Sequence, residues 1–228
     1  MEDRILGTTM PVLEINLAAG ESLISERGEM AWSSPNLQMQ TNMGGAGGFG
    51  GLMRRAMGGG GLMMTTFTAG GGPALVAFAA HLPGHIIPVD IAPGQGYMCQ
   101  RHGFLCGSPG LSLSIGFQQS VGAGIWGGVG FMLQKVEGQG KAWFELSGEM
   151  VTYDLAAGQT LMVHPGHLAL FQESVQLGVT MIRGVANRMF GGEGLFMLQV
   201  SGPGKIWLQS LPLPMLAADI EEYIPRGN

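Results

Sequence analysis

Apolar and polar residues alternate along most of this chain. Leu13, Ile15 and Leu17 are separated by Glu14 and Asn16, which is the two-residue period of a strand with one buried face. The run FMLQKV and the later run LFMLQV are apolar at successive positions, as in strands that are covered on both faces. Short strands of both kinds, separated by glycine turns, predict a sandwich or closed-barrel architecture.

The strand pattern occurs three times along the chain. A glycine cluster, an apolar run, a glycine turn and a second apolar run recur at 58–76, 127–144 and 191–208. Because glycine adopts the positive φ values that tight turns need, we expect each copy to form a hairpin. A second phrase, typified by VTYDLAAGQTL, precedes each copy and starts at residues 13, 88 and 151. Periods of this length indicate stacked or symmetrically arranged units.

We therefore predict a single all-β domain over 1–228 with little helix, built from three glycine-punctuated repeats and a short C-terminal tail. The repeats span about 10–80, 86–147 and 150–210 and share one core. The best helix candidate is PMLAADIEEY near the end of the chain. Weaker candidates are GLMRRAMG at 51–58, SVGAGIW at 120–126 and IRGVANRMF at 182–190.

Composition favours burial between subunits. Apolar residues make up 46% of the chain and charged residues only 12%, against a usual charged share of about 25%. We expect a homo-oligomer, because the chain has little charge with which to cover its surface. The net charge of −5 argues against a nucleic-acid binder that depends on a basic face. The 17 methionines are interpreted as core filling.

The two cysteines, Cys99 and Cys106, are too few for a disulfide framework and are expected to be reduced and half-buried. The segment MEDRILGTTM lacks the pattern of a signal peptide, and no apolar run is long enough for a membrane span. These features predict a soluble, cytoplasmic protein. Peripheral membrane contact stays open, because the glycine- and methionine-rich loop at 44–64 combines arginines with apolar residues, as interfacial segments do.

His164, His167 and Glu173 form the one candidate metal set. A cupin-like site uses two histidines one residue apart and then a glutamate, so that both imidazoles lie on one strand face. Here Pro165 and Gly166 separate the histidines, so we expect the two rings to flank a turn and diverge. We assign no metal, cofactor or catalytic residue.

Other candidates have simpler readings. His81 and His85 flank a Pro-Gly pair that no helix tolerates, and His102 stands alone in a turn. The glycine cluster before Arg54 and Arg55 lacks the strand–loop–helix setting of a phosphate site.

The tryptophans and the candidate nucleophiles are also better explained by packing than by catalysis or binding. No Gly-x-Ser-x-Gly nucleophile elbow is present. Trp126 is a further tryptophan of the second repeat, while Trp143 and Trp207 occupy equivalent repeat positions, with Leu75 as their expected counterpart. We interpret the equivalent position as core.

Several stretches resemble one known family. They are GLMRRAMGGGGLMMTTFTAGG, HLPGHIIPVDI, GGEGLFMLQVSGPGKIWLQS and the following LPLPMLA. The chain resembles, over about residues 11–217, the altered inheritance of mitochondria protein twenty-four family, which is related to the tryptophan RNA-binding attenuator proteins. The resemblance implies a double-stranded β-helix or attenuator-like sandwich, assembly into oligomers, and a role in membrane or respiratory-complex organisation. It supplies no catalytic motif.

The leading prediction is a non-enzymatic, oligomeric β protein that scaffolds or binds a partner. Two alternatives stay open: metal or small-molecule binding at the 164–173 turn, and RNA binding by likeness to the attenuator proteins.

Overall fold

The computed structural model describes residues 1–26, 28–43, 62–119, 131–182, 195–221 and 223–224. These contain strands β1 to β19, one 3-10 turn at Pro165–His167 and one helix, α1, at Leu213–Glu221. After β1 (Glu2–Leu6), the strands fall into three groups of six, which we name the first, second and third modules. The first module is β2 Val12–Leu17, β3 Ser22–Glu26, β4 Met30–Ser33, β5 Leu37–Met43, β6 Met63–Ala69 and β7 Ala74–Ala79. The second is β8 Gly84–Ile91, β9 Tyr97–Gln100, β10 Phe104–Gly107, β11 Leu111–Gln119, β12 Phe131–Gly138 and β13 Gly140–Ser147. The third is β14 Met150–Leu155, β15 Thr160–Val163, β16 Leu168–Gln172, β17 Gln176–Ile182, β18 Leu195–Ser201 and β19 Gly204–Gln209.

One set of pairings recurs in all three modules. The first strand of each module pairs with the sixth, and the sixth also pairs with the third. The second strand pairs with the fifth, and the fifth also pairs with the fourth. All of these pairs are antiparallel, and a register shift interrupts the pair of third and sixth strands in every module. Such a bulge bends the strand and increases its local twist.

Successive modules are joined through a shared sheet. At the first seam β10 of the second module pairs with β3 of the first, and at the second seam β16 of the third module pairs with β9 of the second. The seams create two six-stranded sheets, in the orders β5-β6-β3-β10-β13-β8 and β11-β12-β9-β16-β19-β14. The remaining strands form the sheets β1-β2-β7-β4 and β15-β18-β17. Strands β4 and β15 therefore end their sheets, whereas their counterparts lie in the middle of sheets.

The fifth and sixth strands of a module do not form the predicted hairpin. Strands β12 and β13 lie in different sheets, as do β18 and β19, so the glycine turn between them changes sheets. Gly138 and Gly140 have φ values of +120° and +143°. A Cβ on Gly138 would clash with the carbonyl oxygen of Gly110, so the backbones approach too closely there for any side chain. The hairpins are instead formed by the fourth and fifth strands.

The cores extend across the seams. Strand β2 buries Leu13, Ile15 and Leu17 as its pattern predicts, and Glu14 is also buried, with its carboxylate paired to Arg4 of β1. The cluster around these residues includes Cys106 of the second module. Clusters in the second and third modules likewise take in residues of a neighbouring module. In the described part of the chain, the cluster of the third module contains no residue of the first.

The all-β prediction is confirmed, helix is scarce among the described residues, and the best helix candidate does form α1. The segments 51–58, 120–126 and most of 182–190 lie outside the described residues, as do Arg54, Arg55 and Trp126. Both cysteines are free, and both are fully buried instead of half-buried. Burial raises the pKa of each thiol.

Candidate functional site

Strands β4 and β15 each end a sheet although their counterparts in the other modules are paired on both sides, and these two strands, which we name the open edges, are the first candidate site. The first and second seams, which we call the closed seams, place Cys106 opposite Ser25 and Leu170 opposite Cys99. Each third strand has one residue that follows the bulge and faces the sixth strand of its module. Trp32 lies opposite Ala77, Cys106 opposite Trp143, and Leu170 opposite Trp207. Trp32 is therefore the counterpart of Cys106 and Leu170. The tryptophan positions thus correspond to Ala77, and the predicted equivalence with Leu75 is wrong.

The open edges expose side chains whose counterparts at the closed seams are buried or partly buried. Trp32 is 45% exposed, whereas Cys106 and Leu170 are completely buried. Met162 is 43% exposed, whereas its counterpart Met98 packs against a core cluster. Neither open edge carries a charged residue or a proline, although proteins commonly use both to block pairing at sheet edges.

A second candidate site lies at the first seam, and we name it the acidic cluster. It contains Glu26 at the end of β3, Glu29 before β4, His81 after β7, His102 between β9 and β10, and Glu145 on β13. The side chains of Glu26, Glu29 and Glu145 are 10%, 8% and 6% exposed. The cluster borders a pocket of about 440 Å³ that Arg101, Ala169 and Leu213 also line.

His81 connects two of these carboxylates. Its Nδ1 lies 2.9 Å from Oε2 of Glu145, and its Nε2 lies 3.4 Å from Oε2 of Glu29. The other oxygen of Glu145 accepts the backbone N–H groups of His81 and Leu82. Glu145 therefore fixes the turn after β7 as well as the imidazole, which ties the first module to the second.

Burial sets the electrostatics of the cluster. Removal from water raises the pKa of Glu29 to about 7, with the nearby His81 opposing this and the other carboxylates adding to it. Burial also raises the pKa of Glu26, although the hydrogen bond from Gln134 and the charge of Arg101 oppose it. The hydrogen bond with Glu145 raises the pKa of His81, whereas burial lowers that of His102. Near neutral pH the cluster thus holds fewer negative charges than its three carboxyl groups would in water.

The second seam has amides where the first has carboxyls. Gln100 is the counterpart of Glu26, and Gln209 is the counterpart of Glu145, by the registers of the two seams. Nε2 of Gln209 donates to Oε1 of Gln100 at 3.0 Å, and its Oε1 accepts the N–H of Ser147. Two neutral amides thus satisfy each other, so the acidic cluster is not required merely to join two modules.

The structure does not bring the whole candidate metal set together, although the two histidine rings meet edge to face instead of diverging as expected. The rings of His164 and His167 lie 5.8 Å apart around the 3-10 turn, and Nδ1 of His167 donates to the carbonyl oxygen of Gln209 at 2.7 Å. Glu173 instead pairs with Lys135, with 2.7 Å between Nζ and Oε1. Within the described residues, the one group with metal-ligand spacing is Glu26, Glu29 and His102.

The sequence predicts turns at His81 and His102 but gives no sign of the carboxylate partners that both histidines have in the structure. His85 also has a partner, since its Nε2 lies 3.5 Å from Oε2 of the exposed Glu149. A signal was present at Glu145, where the repeat alignment sets a glutamate in the apolar run AWFEL against Gln209. The carboxyl at a position that another repeat fills with a neutral amide distinguishes the first seam from the second.

No helix in the described ranges is long and apolar enough to cross a membrane.

Comparison with known proteins identifies relatives over nearly the whole chain. An uncharacterised protein of Streptococcus pyogenes serotype M6 is 27% identical over 225 residues, which is 96% of this chain and 88% of that protein. A crystal structure of a Streptococcus pyogenes protein has a TM-score of 0.76 at 23% identity and covers 98% of this chain and 99% of that one. The second likeness concerns the fold. The family model described as "Mitochondrial biogenesis AIM24" matches residues 4–211, and the chain therefore belongs to the AIM24 family.

Proposed function

We propose that this protein is a non-enzymatic scaffold that assembles with copies of itself through its open edges. In each contact β4 of one copy pairs antiparallel with β15 of the next. The observation that carries the proposal is the exposure of Trp32 and Met162 at positions whose counterparts are covered at both closed seams.

The closed seams supply the register of the proposed contact. Cys106 opposite Ser25 and Leu170 opposite Cys99 correspond to Trp32 opposite Val163. Gly107 opposite Ile24 and Phe171 opposite Met98 correspond to Ser33 opposite Met162. A second copy is the partner best matched to these edges, because it carries the complementary strand of each.

The proposed contact would complete a third sheet. Pairing β15 with β4 would join the two smaller sheets in the order β17-β18-β15-β4-β7-β2, with β1 added at the end. These six strands occupy the same positions in their modules as the strands of the two six-stranded sheets. The contact uses two different edges, so assembly continues until the rotation between copies closes a ring, or else forms a filament. We propose on this basis that the modules follow an attenuator-like arrangement.

A scaffold role accounts better for the described side chains than an enzymatic one. Both thiols are buried with raised pKa values, which opposes a nucleophilic thiolate. RNA binding gains little support from the described lysines Lys135, Lys141 and Lys205, because each of them is paired with a carboxylate. Peripheral membrane contact by 44–64 stays a prediction, because residues 44–61 lie outside the described ranges. A scaffold also fits the family's description as a factor in mitochondrial biogenesis.

Light scattering on the purified full chain tests the proposal. We expect the wild-type protein to form oligomers at micromolar concentration and the variants Trp32→Lys and Met162→Lys to be monomers, because each lysine places a charge in the proposed contact. Met39→Lys is the matched control, since Met39 is an exposed methionine on β5, a different edge strand. It should behave as the wild type does.

Mixing the two blocked variants gives a sharper result. The Trp32→Lys protein retains an intact β15 and the Met162→Lys protein an intact β4, so the mixture should form a dimer and nothing larger. A monomeric wild-type chain would overturn the proposal. So would loss of assembly in the Trp32→Lys variant alone, because that result indicates a symmetric β4–β4 contact.

A further inference from the structure

We propose that the acidic cluster at the first seam binds one divalent transition-metal ion through Glu26, Glu29 and His102. One carboxylate oxygen from each glutamate and one imidazole nitrogen lie within 4.8 Å of one another. The three residues come from two different modules, so the ion would join β3 and the following turn to the turn between β9 and β10. The site lies within one chain and does not depend on self-association.

An independent observation at Glu29 points to a ligand. Its side chain is only 8% exposed, and its buried Oε2 accepts no hydrogen bond from the described residues. Among the described residues, the positive partner of this oxygen is Nε2 of His81, at 3.4 Å. A buried carboxylate oxygen usually receives a hydrogen bond or coordinates a cation, and Glu29 lines the same pocket as His81 and His102.

Neighbouring groups hold the ligands as the outer shell of a metal site does. Nε2 of Gln134 donates to Oε1 of Glu26, which leaves Oε2 of Glu26 facing His102 at 4.0 Å from Nδ1. Sγ of Cys99 lies 3.8 Å from Oε1 of Gln134 and helps to set the orientation of that amide. Glu145 holds His81 beside Glu29.

The donor types identify the class of ion. Two carboxylates and one imidazole form a mixed oxygen and nitrogen set, which suits Zn²⁺, Mn²⁺ or Fe²⁺. Mg²⁺ and Ca²⁺ prefer sets made entirely of oxygen ligands. Three protein ligands leave further coordination positions toward the pocket. The second seam provides an internal contrast, since Gln100 and Gly103 replace Glu26 and Glu29 there.

Calorimetric titration of the full, chelator-treated chain with Zn²⁺ tests this site. We expect one ion to bind per chain, and Glu29→Gln and His102→Asn each to weaken binding at least about tenfold. Glu149→Gln is the matched control, because Glu149 is also a glutamate beside a histidine but its side chain is 88% exposed. That variant should bind as the wild type does.

Circular dichroism would verify that each variant is folded before titration. Absence of saturable Zn²⁺ binding to the wild-type chain would overturn the proposal. Unchanged affinity in both Glu29→Gln and His102→Asn would do the same. If binding persisted in those variants and disappeared in His164→Ala, the ion would belong to the histidine pair of the second seam, and the acidic cluster would be excluded.

Discussion

Trp32 on β4 lies directly opposite Ala77 on β7, which reverses the order of residue sizes found in the other two modules. There the sixth strand carries the indole, with Trp143 opposite Cys106 and Trp207 opposite Leu170. Opposite residues of an antiparallel pair share one face of the sheet. In the first module the indole therefore lies on an open edge, where a neighbouring strand can contact it, instead of on the sixth strand.

The indole on the sixth strand should matter more for stability than the indole on the open edge. We expect Trp143→Ala to lower the free energy of unfolding by about 3–5 kcal/mol, because Trp143 is fully buried in the core that joins two modules. Trp32→Ala should cost about 1 kcal/mol or less in the monomer, since nearly half of Trp32 is exposed. Denaturant unfolding at low protein concentration measures both changes. Equal losses in the free energy of unfolding would contradict the different roles of the two indoles.

Cysteines placed on the open edges should form a disulfide between copies. Ser33→Cys and Met162→Cys proteins, mixed under mild oxidation, should give a covalent dimer in a non-reducing gel, because the proposed register sets these positions opposite each other. Thr160→Cys in place of Met162→Cys controls for register, since residues two apart on a strand are separated by about 7 Å. The native thiols are buried and do not compete. A single chain carrying both cysteines that formed only an internal disulfide would show that the edges close on each other.

Stability should fall as the pH rises through the range in which Glu29 ionises. Burial raises the pKa of this carboxyl from 4.5 to about 7, so between these values the folded chain binds more protons than the unfolded one, and stability decreases with pH. The raised pKa of His81 acts in the same direction. In chelator-treated protein, we expect Glu29→Gln to be more stable than the wild type by about 1–2 kcal/mol at pH 8 and equal to it near pH 5. Urea unfolding at both values checks this, and an equal effect at both would contradict it.

The glycine turn that changes sheets should tolerate no side chain. Gly138→Ala should destabilise the protein by about 3 kcal/mol or more, because the new Cβ would meet the carbonyl oxygen of Gly110 in addition to backbone strain at positive φ. Gly158→Ala is the control, with a φ of +80° and no atom within 4 Å of its Cβ. It should cost about 1 kcal/mol. Thermal unfolding separates the two, and similar costs would show that strain alone decides.

Much of the fold could be predicted from the sequence, because strand alternation and repeated glycines are local signals. The alternation at 13–17 predicted β2 and its buried face correctly. The glycines at 138 and 140 predict a hairpin, and this prediction is wrong. Positive φ values are needed both where a strand returns to its own sheet and where it enters another, so the glycines do not distinguish the two. Pairing between sheets depends on distant residues, which a local pattern does not contain.

The candidate site was less accessible to sequence reasoning. His164, His167 and Glu173 are close along the chain, yet Glu173 pairs with Lys135. The acidic cluster draws residues from positions as far apart as 26 and 145, so spacing gives no sign of it. Comparing equivalent positions of the repeats, such as Glu145 with Gln209, carries that information once the register is known.

The seams also set an order of events during synthesis on the ribosome. The core of the first module includes Leu105 and Trp143 of the second, so the N-terminal third of the nascent chain has no complete interior until residues well beyond it have emerged. Until then the nascent chain exposes apolar surface, and chaperones bind chains in this state. Translation must deliver the second module before the first can finish folding.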